Sequence, residues 1–252
     1  MTATDLAFLL GAGALAGAVG TVVNFASLVS YPALLAVGLP PVTANVTNTV
    51  GLVFAGLGSA AGSRPELVGQ RVRVRRLGLL TGLGGACGAA LLLLTPARGF
   101  ELVVPGLVAV ASLVLLVQPR LGRFGVAGPG GREDSRGLRV GLLVLAVYTG
   151  YFGAAGGVLT LAILIAMLDE PLARINAMKN AVAGVANAVA AVGFMVFGPV
   201  RWGAVAPLAA GFLLGGLVGP ALVRRLPGGA LRWLAGGGGL VVAAVLAARS
   251  YG

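Results

Sequence analysis

GAVGTVVNFASLVSYP, residues 17–32, is an apolar run interrupted in its middle by small polar residues, and GYFGAAGGVLTLAIL, residues 150–164, is a second run broken by glycine. Each leads to a proline-containing turn and then an asparagine-bearing helix: PPVTANVTNTVG at 40–51 and EPLARINAMKNAVAG at 170–184. Paired, interrupted hydrophobic segments at corresponding positions of two halves are the sequence pointer to a secondary transporter's binding site.

Working outward, the whole chain is 58% apolar and 10% charged, with a mean hydropathy of +1.00. A soluble domain carries about 25% charged residues. Residues 6–63, 140–168, 180–200 and 202–223 contain no charge. Runs of about 20 apolar residues cross a hydrocarbon core of about 30 Å as helix. The composition therefore defines an integral membrane protein. A β-barrel would alternate apolar and polar residues over short segments, and these runs are continuously apolar. A cleavable signal peptide needs a basic region ahead of its apolar core; the sole charge before residue 64 is Asp5, so the N-terminus reads as a segment of the mature membrane domain.

A net charge of +11 would suggest nucleic acid in a soluble protein. Here the arginines sit in short loops, where positive-inside topology calls for them, and no nucleic-acid partner is expected. Cys87 lies in an apolar glycine-rich stretch and reads as a small packing residue. With no histidine and one cysteine, no transition-metal or haem site is expected, and no cofactor.

Eight hydrophobic blocks are legible: 6–38, 42–62, 77–95, 102–118, 138–168, 174–198, 203–223 and 231–249. The Gly- and Arg-rich stretch 119–139 separates a first repeat, about 1–118, from a second, about 138–252, within one transmembrane domain. Blocks 6–38 and 138–168 are too long for one pass, since about 30 helical residues span about 45 Å. Breaks near their middles predict helical hairpins or re-entrant elements. If both return to the side they start from, 15 of the 18 Lys and Arg residues share one side, leaving Arg98, Arg201 and Arg249 opposite; if each crosses once, the split is 12 against 6. The positive-inside rule favours the first arrangement. Each repeat then makes three crossings plus a hairpin, which inverts one repeat relative to the other. The expected fold is all-α: a polytopic helical bundle of two inverted repeats with broken helices.

Non-helical backbone at membrane depth is tolerated where it is buried in protein or lines a wet cavity. The breaks at 20–28 and 153–157 meet that description. Helix N-termini exposed there would favour an anion, although Gly150, Gly153, Gly156 and Gly157 would equally permit close helix packing. Lys179 is the single lysine beside 17 arginines. It either meets an anion or snorkels to the interface. Asn176, Asn180 and Asn187 share one helical face, as do Asn45 and Asn48, with Thr47 and Thr49 beside them. Intramembrane asparagines also staple helices together, a role that suits Asn187, deep in its block. No Asp, Glu or His lies well inside an apolar run, so a carboxylate or imidazole proton relay lacks residues. No nucleophile–base set, metal cluster or phosphate loop is present, and enzyme activity is not expected.

At these same residues the chain resembles the TauE/SafE family of sulfite exporters. The likeness runs through YPALLAVGLPPVTANVTNTVG (31–51), GYFGAAGGVLTLAIL (150–164), RINAMKNAVAGVANAVAAVGFMVFGPVRW (174–202) and LAAGFLLGGLVGPALVRRLPGGALRW (208–233). The resemblance implies a multi-pass carrier of the bacterial inner membrane that exports small anions such as sulfite, sulfoacetate or related organosulfonates. The family's first break reads like GxG followed by Ser or Thr and Leu; here Asn24, Phe25, Ala26, Ser27 and Leu28 lack both glycines, and Asn24 adds an amide. The expected substrate contacts are Asn24, Ser27, Asn45, Thr47, Asn48, Gly153, Gly156, Gly157, Asn176, Lys179 and Asn180. The expected partners are a small anion and the lipid bilayer, and a homo-oligomer is compatible with such a bundle. The alternatives are a channel or structural membrane component without vectorial transport, and a membrane enzyme, which the absent catalytic residues oppose.

Overall fold

The computed structural model describes residues 1–23, 26–62, 65–121, 136–154, 156–223 and 228–251. Among them it is all helical, with ten α-helices: α1 Ala3–Val23, α2 Ala26–Ala36, α3 Pro41–Gly62, α4 Arg71–Leu94, α5 Ala97–Leu121, α6 Arg136–Tyr151, α7 Gly156–Met167, α8 Leu172–Phe197, α9 Trp202–Val223 and α10 Gly228–Tyr251. A chain in hydrocarbon must satisfy every backbone N–H and C=O internally, which leaves helix as the form these apolar runs can take. Four described stretches are long and apolar enough to cross a membrane: Ala3–Gly20, Arg71–Leu94, Ala97–Val117 and Ala173–Phe197. α3, α9 and α10, of 22, 22 and 24 residues, match the hydrocarbon thickness in length. Large apolar side chains such as Leu57, Leu83, Val144 and Phe197 face outward, as a lipid-facing surface requires.

Both long sequence blocks fold as hairpins. Block 6–38 divides into α1 and α2, and block 138–168 into α6 and α7. α2, α6 and α7, at 11, 16 and 12 residues, are about 17, 24 and 18 Å long and end short of a full crossing. The α6–α7 hairpin returns to its own side, because Arg139 at its start and Met167 and Leu168 at its end line one cleft with Gln70 and Glu170. The α1–α2 hairpin starts and ends at the opposite face. Met1 approaches Gly203. Just beyond α2, the first turns of α3 meet the α8–α9 turn, where Thr47 Oγ1 accepts the Arg201 N–H at 3.1 Å. Arg98, Arg201 and Arg249 lie at that face, where Ser250 Oγ also donates to Glu101 O at 3.1 Å. The described arginines of the first turns of α4, α6 and α8 lie at the other. The hairpins thus enter from opposite faces, and three long helices follow each. The loop arginines Arg64, Arg123, Arg132, Arg224 and Arg225 and most of the 119–139 linker lie outside the described residues.

Two seams of small residues bring helices that are distant in sequence into backbone contact. α1 lies parallel to α9, with Gly13 against Leu208 and Gly211 and Gly17 against Phe212 and Gly216. α4 lies parallel to α6, with Gly84 against Leu143 and Val147 and Gly88 against Val147 and Gly150. A Cβ at Gly88 would run into the Val147 carbonyl, so the approach depends on glycine there. Cys87, next to that seam, is exposed on the outer surface of α4 and does not pack inward as its context suggested.

Candidate functional site

The two hairpin tips converge. A cavity of about 120 Å³ lies between them, closed on its sides by α3 and α8. From the first break come Gly20, Ala26 and Ser27, the last two being the opening residues of α2; from the second come Thr149, Gly153 and Gly157, the last in the first turn of α7. α3 adds Gly56 and Ser59, and α8 adds Lys179, Asn180 and Asn187. The N-terminal ends of both short helices therefore open on one space, bringing the positive ends of two helix dipoles to it.

Lys179 is 1% exposed and is the one buried charged side chain among the described residues. Its Nζ donates to Asn176 Oδ1, one turn earlier, at 2.9 Å. It lies inside the bundle and does not reach for the interface. Asn180 sits beside it on the cavity wall, whereas Asn176 does not line the cavity and touches it through Lys179.

The asparagines of α3 stand behind the wall. Asn48 is buried where α3 packs on α2; its Oδ1 accepts Ser30 Oγ at 2.6 Å and its Nδ2 donates to Ser27 Oγ at 3.3 Å. It thus positions the Ser27 hydroxyl that does line the cavity. Asn45 Nδ2 donates to the Tyr151 carbonyl at 2.8 Å, tying α3 to the last turn of α6. Thr47 points away, to Arg201. Asn24 lies outside the described residues.

The second tip is built locally. Gly153 has φ +75°, a left-handed conformation that L side chains rarely adopt, and it ends α6. The N–H groups of Phe152 and Gly153 both donate to Tyr148 O, at 2.9 and 3.2 Å. Tyr148 Oη reaches across the break to Ala154 O at 2.7 Å. Phe152 packs edge-on against Tyr31 of α2, with ring centroids 5.4 Å apart at 82°. Gly156 opens α7 with its Cα against the Thr149 hydroxyl, where a Cβ would collide.

Asn187, Ser59 and Thr149 line the cavity without having been singled out as substrate contacts. For Asn187 the signal was present, since it shares the helical face of Asn180. Ser59 and Thr149 are single hydroxyls in apolar runs, and only the convergence of the tips distinguishes them.

The arrangement offers an anion one ammonium, several hydroxyls and amides, and the N-terminal ends of two helices. The pattern of the family described as sulfite exporter TauE/SafE matches residues 9–246. A protein of Haemophilus influenzae named "Probable membrane transporter protein" is 26% identical over 229 residues, covering 86% of this chain and 85% of its own. The "Probable membrane transporter protein YfcA" of Escherichia coli K12 is 26% identical over 220 residues, covering 83% and 77%. No solved structure matches. With a family pattern spanning nearly its whole length, the chain belongs to the TauE/SafE sulfite exporter family of membrane transporters.

Proposed function

We propose that the chain exports a small anion such as sulfite, sulfoacetate or a related organosulfonate across a bacterial inner membrane by alternating access, with the cavity between the hairpin tips as its binding site. The observation that carries this reading is the meeting of the N-terminal ends of α2 and α7 with Lys179 at one cavity. Lys179 supplies the countercharge. Ser27, Asn180 and Asn187 offer hydrogen bonds, Gly153 and Gly157 let backbone approach the ligand closely, and Gly156, which does not line the cavity, makes room for Thr149. Asn45, Asn48 and Asn176 hold the contacting groups in place, and Thr47 fixes α3 to the α8–α9 turn. An inside-negative potential drives an anion outward by about 2.3 kcal/mol per charge per 100 mV, so export needs no proton relay.

The test is flux of radiolabelled sulfite and sulfoacetate in proteoliposomes, with and without an imposed potential. Saturable, potential-sensitive flux is expected. Lys179→Ala, correctly inserted, should lower apparent affinity about 10-fold or more, the scale of a lost hydrogen bond to a charged group. Unchanged flux in that variant would remove Lys179 from the site. Flux that rises linearly with concentration would indicate a channel, and absence of flux for both anions from folded protein would overturn the substrate class.

A further inference from the structure

A second recess lies far from the tips, at the arginine-rich face. It measures about 550 Å³ and is formed by the first turns of α4, the start of α6 and the end of α7. Its rim is polar: Gln70, Arg73 and Arg76 from α4 and its approach, Arg139 from α6, and Glu170 from the α7–α8 turn. Its floor is apolar, with Leu77, Leu80, Met167 and Leu168.

Among the described residues that line it, the rim carries three arginines and one carboxylate. Its one carboxylate, Glu170, is already engaged: Oε1 accepts Arg73 at 3.0 Å and Gln70 at 3.0 Å, and Oε2 accepts Arg174 at 2.9 Å. Arg76 and Arg139 add two exposed guanidinium groups. Guanidinium is the group that matches phosphate oxygens in bidentate geometry.

The floor says where such a phosphate comes from. The recess sits where α4 and α6 begin, at headgroup depth, and the neighbouring outward residues of the same helices are apolar: Leu79 is 64% exposed, Leu83 65%, Val140 58% and Val144 63%. A soluble anion has no use for the leucines beneath the arginines, whereas a phospholipid brings a phosphate and the tops of its chains together. Basic pockets between transmembrane helices are of this kind. We propose that this recess is a binding site for the headgroup of an anionic phospholipid, with Arg76 and Arg139 contacting the phosphate and Leu77, Leu80 and Met167 the first carbons of the chains. Bound there, the lipid bridges α4, α6 and α7 and ties the base of the second hairpin to its neighbour.

The test is thermal unfolding of delipidated, detergent-solubilised protein titrated with phosphatidylglycerol, phosphatidylcholine, or glycerol 3-phosphate. Phosphatidylglycerol at about ten times its Kd should raise Tm by about 3–6 °C, with little effect from the other two. In Arg76→Ala/Arg139→Ala that rise should fall by more than half. Arg71→Ala/Arg75→Ala removes two exposed arginines of the same helix that lie outside the recess and should keep the full rise. Equal losses in both double variants, no loss in the first, or no stabilisation of the wild type would overturn the site. A full shift with glycerol 3-phosphate would overturn its assignment to lipid in favour of a soluble phosphate.

Discussion

Counted from Pro40 and Pro171, residues Asn45, Asn48 and Thr49 fall in register with Asn176, Lys179 and Asn180. The same helical position therefore carries an amide in one copy and an ammonium in the other. In the first copy the amide is used structurally, holding Ser27 and Ser30 of α2; in the second the ammonium lines the cavity. Asn48→Ala should cost about 0.6–2 kcal/mol, the range of an intramembrane side-chain hydrogen bond. By releasing the Ser27 hydroxyl, it should also raise KM for the transported substrate more than it lowers the maximal rate, which concentration-dependent flux would read. The asparagine face that helical spacing marks on α8 borders the cavity through Asn180 and Asn187, but spacing does not give depth along a face. Asn45 and Asn48 lie nearer the α2 and α6 arms than the cavity, while Asn187, read as a staple, lies at the wall. Which residue on a polar face meets the ligand depends on where the opposing hairpin tip stops, and no local pattern encodes that.

At the scale of elements, the hairpins were legible because two simple quantities agreed: block length against bilayer thickness, and the sorting of arginines. Gly153 is the hinge on which the second depends. Gly153→Ala places a side chain at φ +75° and should destabilise the protein by about 1–2 kcal/mol, measurable as a lowered melting temperature with retained helical content. A second element-level feature, the Glu170 ion cluster between α4 and the α7–α8 turn, was invisible in the sequence because its partners are about 100 residues apart. Arg174 first, then Arg73, hold the Glu170 carboxyl below its ordinary value of 4.5. A carboxyl whose folded value is depressed contributes stability above the unfolded value and loses it as pH falls through the folded one. Wild-type melting temperature should therefore drop as pH falls below about 4.5, and Glu170→Gln should flatten that drop while costing about 1 kcal/mol at neutral pH, as befits a partly exposed cluster.

Across the whole molecule, the two hairpins enter from opposite faces and their tips meet at one cavity. That arrangement sorts the described loops between two faces. With Cys87 replaced by Ser, a cysteine at Arg201 should react with an impermeant maleimide added outside intact cells, and a cysteine at Arg71 only after permeabilisation. Reversed labelling would invert the topology. Composition alone established that the protein lies in the membrane, but the contacts that close the bundle, α1 on α9 and α4 on α6, rest on glycines whose partners the sequence does not name.

The α1–α9 seam has a consequence for how the protein is made. Gly13 and Gly17 pack on a helix that the ribosome produces about 200 residues later, an interval of about 10–40 s at ordinary elongation rates. Throughout that time α1 waits in the membrane with its glycine face covered by lipid or by the insertion machinery, and the first hairpin cannot take its final seat. Assembly is therefore held open until near the end of synthesis. A nascent chain released before α9 emerges leaves α1 without the surface it was shaped to meet, a ready substrate for membrane proteases.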